Sequence, residues 1–163
     1  MIPLKINGTH LCKIFDPSLN IDTWTDQQII DYSIDNQMFP TEVQNTSETY
    51  SRNAERTADY ELKQLVIVNR KAKPEFTWRL IRATYVENLM RFLQYGYDFK
   101  NSEGIVDPKE APTYSITYYD YVGMRTINTY LGQTIEGTLV EYQSGLFWEN
   151  FRIAFPERWA YVY

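Results

Sequence analysis

The chain has one cysteine, Cys12, and one histidine, His10, in 163 residues. An internal disulfide is excluded, and a zinc centre of the usual Cys/His kind lacks its ligands, so neither a metal nor a cofactor is expected. The short signatures of common catalytic sites are missing as well: the sequence holds no Gly-x-Gly-x-x-Gly, no Gly-x-x-x-x-Gly-Lys, no Gly-x-Ser-x-Gly and no His-Glu-x-x-His. No stretch approaches the roughly 20 apolar residues that a membrane span needs. The opening Met-Ile-Pro-Leu-Lys-Ile-Asn-Gly is not a basic leader followed by an apolar run, so synthesis in the cytosol is expected. Cations are the minority charge: 16 Lys and Arg against 21 Asp and Glu give a formal charge of -5. Tight, sequence-independent binding to a nucleic-acid backbone depends on clustered cations and is not expected.

Aromatic residues are abundant. They make up 16% of the chain, with 14 Tyr, 8 Phe and 4 Trp, a composition that favours pleated, half-buried surfaces and large interfaces over helical bundles. Hydrophobic residues at 44% and charged residues at 23% describe ordinary globular material, and the length suits one domain, residues 1–163, with its own core.

One helix stands out. Thr84 and Glu87 have the spacing of a capping box, Val86, Leu89, Met90 and Leu93 form an apolar stripe with Phe92 at its edge, and Gly96 suits a left-handed C-terminal residue. A helix from Thr84 to about Gly96 is predicted, packed against strands.

Those strands follow from alternation and turn residues. Asn7-Gly8 favours a tight hairpin between residues 3–7 and 10–15. Asp16-Pro17-Ser18 turns into a further strand through Leu19, Ile21 and Trp24, and Asp59–Asn69 is β-branched and apolar at its centre. After a turn over Arg70–Pro74, Phe76, Trp78 and Leu80 alternate with Glu75, Thr77 and Arg79. Residues 97–112 have loop chemistry. Four more strands are predicted at 113–122, 124–131, 134–142 and 146–155, with Gly137 a bulge or close-approach point and Pro156 ending the last. The expected fold is mainly β: eight or nine antiparallel strands with one flanking helix, as a sandwich or a strongly curved sheet.

Residues from about 25 to 58 show no clear period and read as a long polar arm that orders against a neighbour, or as a disordered surface insertion. Arg52 and Arg56, four residues apart, could meet carboxylates of another subunit, although a solvated face is the simpler explanation. The C-terminal Glu-Arg-Trp-Ala-Tyr-Val-Tyr is aromatic enough to lie against protein. Tyr50, Arg52, Arg56, Trp159, Tyr161 and Tyr163 are therefore the expected protein-interface residues, while Trp78 and Trp148 belong in the core.

Catalytic readings are weaker. On a strand, His10 and Cys12 would share a face, but a buried thiol beside an edge imidazole is commoner than an activated pair. Asp120, Glu136, Glu141 and Glu149 could serve acid/base hydrolysis of sugars, or simply be solvated strand faces. Exposed Tyr and Trp could also stack on sugar rings, which leaves a carbohydrate-binding β-sandwich as the alternative to a structural subunit.

Several short strings point to one family: Leu-Lys-Ile-Asn-Gly near the start, Arg52-Asn53-Ala54, Trp78-Arg79-Leu80 before the helix, Tyr-Ser-Ile-Thr-Tyr-Tyr-Asp at 114–120, Arg-Thr-Ile-Asn-Thr-Tyr-Leu-Gly at 125–132, and Pro156-Glu157-Arg158. Their order resembles small structural proteins of long-tailed bacteriophage tails, of the tail-tube or distal tail and baseplate kind. The resemblance implies a noncatalytic virion protein of tail-tube fold. It implies assembly as a homo-oligomeric, hexameric ring beside other tail or baseplate proteins, with DNA passing transiently through an acidic lumen.

Overall fold

Asn7 and Gly8 hold φ values of 53° and 71°, the primed-turn geometry that joins β1 (Leu4–Ile6) to β2 (Thr9–His10) as an antiparallel hairpin. The computed structural model describes residues 2–47, 71–93, 112–132 and 134–158 with their side chains, and residues 48–50, 54–56, 62–64, 69–70 and 161–162 as backbone.

The strand expected over 10–15 is instead mostly one helical turn, α1 (Leu11–Phe15), which buries Leu11, Cys12, Ile14 and Phe15. Apolar residues at steps of one, three and four match a helix face, not a pleat. Leu19, Ile21 and Trp24 then pack partly buried on the core without forming a strand. Much of the arm expected over about 25–58 is regular structure instead. Residues 26–35 form α2 (Asp26–Asp35), started by a capping box in which the Gln28 N–H donates to Thr25 Oγ1 and the Thr25 N–H donates to Gln28 Oε1. Its buried face is Ile29 and Ser33, the serine hydroxyl donating back to the Ile29 carbonyl at 2.7 Å. A polar residue on the inner face hides the helical period from a reading by hydrophobicity. Met38 and Phe39 are buried, and the chain enters β3 (Glu42–Tyr50), so residues 26–47 belong to the body of the fold.

β4 (Ala54–Arg56) and β5 (Leu62–Gln64) pair antiparallel with each other. β6 (Asn69–Arg82) runs straight through the turn expected at 70–74. Pro74 is tolerated because it lies where the pairing with the strand on that side ends, and its carbonyl still accepts the Phe155 N–H at 2.9 Å. Ala72, Phe76 and Trp78 face inward as alternation requires, but Ile81 is buried in place of Leu80. β6 feeds directly into α3 (Ala83–Phe92), whose N-cap is Arg82 without a side-chain cap bond. Thr84 is thus already inside the helix and the expected Thr84–Glu87 box does not form. The apolar stripe holds: Val86, Leu89 and Leu93 are buried and Met90 and Phe92 partly so. Gly96, most of the expected loop at 97–112 and Leu65–Val68 lie outside the described residues.

The C-terminal part follows its alternation except over 135–142, where every residue is exposed or half-buried. β7 (Tyr114–Asp120) and β8 (Gly123–Thr129) form one hairpin, β9 (Ile135–Tyr142) and β10 (Gly145–Ala154) another, and Gly123 and Gly145 take φ values of 99° and 126° at the turns. β11 (Tyr161–Val162) pairs with the start of β6. The hairpins go to different sheets. One sheet has the order β2-β1-β7-β8; the other contains β11-β6-β10-β9, with β3 on the remaining side of β6. Every recorded pairing is antiparallel. The fold is mainly β and sandwich-like, with three helices among the described residues where one was expected.

Gly137 is the close-approach point expected from its place in the sequence. The β9–β10 register shifts between Glu149 and Arg152, Asn150 takes φ 51°, and a Cβ on Gly137 would stand 3.1 Å from Trp148 Cε3. The core is aromatic. Phe76 meets Tyr118 and Phe155, while Trp78 meets Phe15 and Phe151, with Phe15 also stacked on Tyr85 from α3. Trp78 is buried as expected; Trp148 is partly buried against the same core.

Candidate assembly surfaces

A strand at the end of a sheet leaves a row of N–H and C=O groups to be paired. Among the described residues β9 pairs with β10 alone, and Leu139 and Tyr142 on it, with Leu146 across the turn, are 50%, 47% and 51% exposed. At the opposite edge of the same sheet β3 pairs, among the described residues, with β6 alone. Among the described residues its outer side is met by the β7–β8 connection at Asn45, whose carbonyl accepts the Tyr121 hydroxyl at 2.8 Å.

That contact belongs to a second exposed feature, the β7–β8 tip. Tyr119, Tyr121, Val122 and Met124 are 58%, 76%, 84% and 51% exposed. Ile2, Pro3, Val43, Asn45, Tyr119 and Met124 line an apolar groove of about 560 Å³ beneath it. Asn45 ties the tip to β3, its Nδ2 donating to the Tyr119 carbonyl at 3.3 Å.

The tip is fixed in place by a buried ionic cluster. Arg125 Nη1 lies 2.6 Å from Asp120 Oδ2, which also accepts the Tyr118 hydroxyl, while Asp120 Oδ1 accepts the Tyr121 N–H at 2.8 Å. Arg125 Nη2 reaches Glu157 Oε1 at 4.0 Å, and Glu157 Oε2 accepts the Ala72 N–H at 2.8 Å. The cluster joins β6 of one sheet to β7 and β8 of the other through residues 156–158. Burial, followed by the neighbouring Asp120 carboxylate, pushes the Tyr118 hydroxyl well above its usual range.

Burial also lifts the Glu157 carboxyl above its usual range; the Ala72 N–H, Arg125 and Lys71 oppose the shift, and Asp120 adds to it. The folded state therefore holds this proton to higher pH than the unfolded chain does. The stability that it contributes is fully present below the unfolded carboxyl's value and is lost as pH rises through the raised folded value. Glu157→Gln should flatten that segment of a stability-versus-pH curve measured by urea unfolding; an unchanged slope would assign it to another group.

The expected site residues are placed unevenly. The backbone brings Tyr50 opposite Asn69 and Tyr161 opposite Arg70, so both flank the first residues of β6, on opposite sides. Arg56 lies in β4 opposite Leu62. Arg52, Trp159 and Tyr163 lie outside the described residues. Cys12 and His10 do not share a strand face: Cys12 is buried in α1, where burial raises its thiol, the reverse of nucleophile activation, and burial lowers the His10 imidazole. The four carboxylates do not all share a sheet. Asp120 is taken up by Arg125 on β8, Glu136 and Glu141 are exposed on β9, and Glu149 on β10 accepts the Tyr142 hydroxyl at 2.5 Å.

The exposed tip and the apolar β9–β10 end are not among the residues expected at an interface. Tyr119-Asp120-Tyr121-Val122-Gly123-Met124 carries bulky apolar residues at both parities beside a turn glycine, and that was the available signal. Among the described residues no group of three or more His, Cys, Asp and Glu could hold a metal ion, and no helix is long and apolar enough to cross a membrane. Comparison with family models, with curated proteins and with solved structures finds no match to this chain, so its surfaces carry the functional reading.

Proposed function

We propose that the chain is a noncatalytic structural subunit that assembles with copies of itself through the edges of its five-stranded sheet, in a phage tail or related injection device. The observation that carries this reading is the sense of the two edge strands. β3 is antiparallel to β6, β6 to β10 and β10 to β9, so β3 and β9 run in opposite directions. A second copy in the same orientation would bring its β3 antiparallel to the first copy's β9, and the sheet would continue without inverting any subunit. Head-to-tail contacts of this kind close into rings when the rotation between copies allows.

Among the described residues, β3 from Thr46 to Tyr50, beyond the Tyr121 contact, pairs on one side only, with β6. Pairing β9 with itself across a two-fold axis is less favourable in the centred register, because Glu136 and Glu141 would face each other at both ends. A six-membered ring in the tube or at the distal tip, beside other tail or baseplate proteins, follows from the resemblance of the sequence. A lumen of acidic character would let DNA pass without sticking, which the formal charge of -5 suits.

Leu139→Lys tests the edge directly. Burying a leucine at a contact contributes about 1.5–3 kcal/mol, and an edge lysine opposes strand addition. Self-association measured by sedimentation velocity should weaken by at least about tenfold, with the circular dichroism of the subunit unchanged. An association as strong as the parent's would remove β9 from the interface.

A further inference from the structure

We infer that the outer face of the five-stranded sheet carries a groove for a neutral saccharide of disaccharide size, which meets the sheet edges proposed for assembly only at the start of β9. Ala72, Phe76 and Ile153 are buried, so alternation sends Lys73, Glu75 and Arg152 to the opposite face. Along this face a groove of about 530 Å³ is walled by Lys73 and Glu75 from β6, Arg152 from β10, Thr134 and Glu136 at the start of β9, and Tyr130. Its volume lies within the range of small-molecule sites, and it is too large for a lone amino acid or phosphate to fill.

The groove is held open by the backbone. The Gly132 N–H donates to the Ala154 carbonyl at 2.9 Å, and a Cβ on Gly132 would stand 2.9 Å from that same oxygen, so the β8–β9 connection lies this close only with glycine. The Tyr130 N–H donates to the Pro156 carbonyl at 3.1 Å, which sets the tyrosine at the rim, the residue 40% exposed.

The charges select the ligand class. Two cations and two carboxylates line the groove, which gives no net preference for an anion or a cation. Arg152 Nε is held by Glu75 Oε1 at 3.1 Å, whereas the side chains of Lys73 and Glu136 have no hydrogen-bond or ion-pair partner among the described residues. A ligand that satisfies both offers acceptors at one end and donors at the other. Sugar hydroxyls do both, and the apolar face of a pyranose ring stacks on tyrosine.

The test uses the Leu139→Lys protein, so that failure of assembly and failure of binding are read separately. Maltose, lactose and chitobiose are titrated at millimolar concentration by saturation-transfer NMR, beside glycine betaine and inorganic phosphate. At least one disaccharide should bind, and Tyr130→Ala and the pair Lys73→Ala with Glu136→Ala should each weaken it by about tenfold. All three side chains are exposed, so the folded baseline is checked by circular dichroism. No binding by any of the three disaccharides, binding by the betaine or phosphate alone, or binding indifferent to both variants would overturn the assignment.

Discussion

Replacing Arg125 with methionine should destabilise the fold by about 3 kcal/mol, the low end of the range for breaking a buried ion pair. The Arg125 side chain is 23% exposed, which moderates the loss, but its partners are not: the Asp120 and Glu157 side chains are each 7% exposed. Methionine fills similar space without charge, leaving two carboxylates near each other inside the fold. Arg125→Lys should recover part of the loss, since a lysine can restore a charge but not the forked contact to both acids. Urea unfolding of the two variants at neutral pH reads the difference. Equal stability of Arg125→Met and the parent would mean that the cluster is solvated, and that the 156–158 segment is held by its backbone bonds alone.

Trp78→Ala should cost about 3–5 kcal/mol, the usual loss for truncating a buried large aromatic residue. The residue is 1% exposed, its ring meets Phe151 at 5.7 Å and Phe15 at 6.3 Å, and its Nε1–H donates to the Met38 carbonyl at 2.9 Å. It therefore joins β10, α1 and the connection between α2 and β3 to one point on β6. Trp78→Phe keeps the apolar ring and loses the donor, for an expected cost of about 1–3 kcal/mol from the buried carbonyl left unpaired. Amide exchange should quicken in α1 and α2 in both variants, more in alanine. A loss confined to global stability, with no added exchange in those helices, would contradict the role of Trp78 as their anchor.

The two hairpins of the C-terminal half were legible because β7, β8 and the end of β10 alternate and glycines mark the turns, although β9 shows no alternation of burial; Tyr114, Ile116 and Tyr118 fall on the buried parity as read. α3 was legible as a helix from its stripe, but not in its start, because a capping box needs its threonine outside the helix and here β6 runs into the helix at Arg82. α2 was missed for a different reason. Its inner face uses Ser33, its true cap is Thr25 with a glutamine at the third position, and its glutamines and aspartates read as loop. Pro74 reads as the end of a turn over 70–74, although its carbonyl, not its nitrogen, takes part in the sheet. The assembly surfaces were legible only in kind. The sequence pointed to aromatic contacts, whereas which strands are left at the edges depends on how two hairpins are shared between two sheets, and no local pattern encodes that choice.

Native mass spectrometry across rising concentration, read together with amide exchange at β9 and β3, tests the assembly most directly. The expected result is a closed ring of identical subunits, with exchange at β9 and at residues 46–50 slowing as the ring forms. A single chain mass at every concentration, with exchange at both edges unchanged, would contradict assembly through these strands.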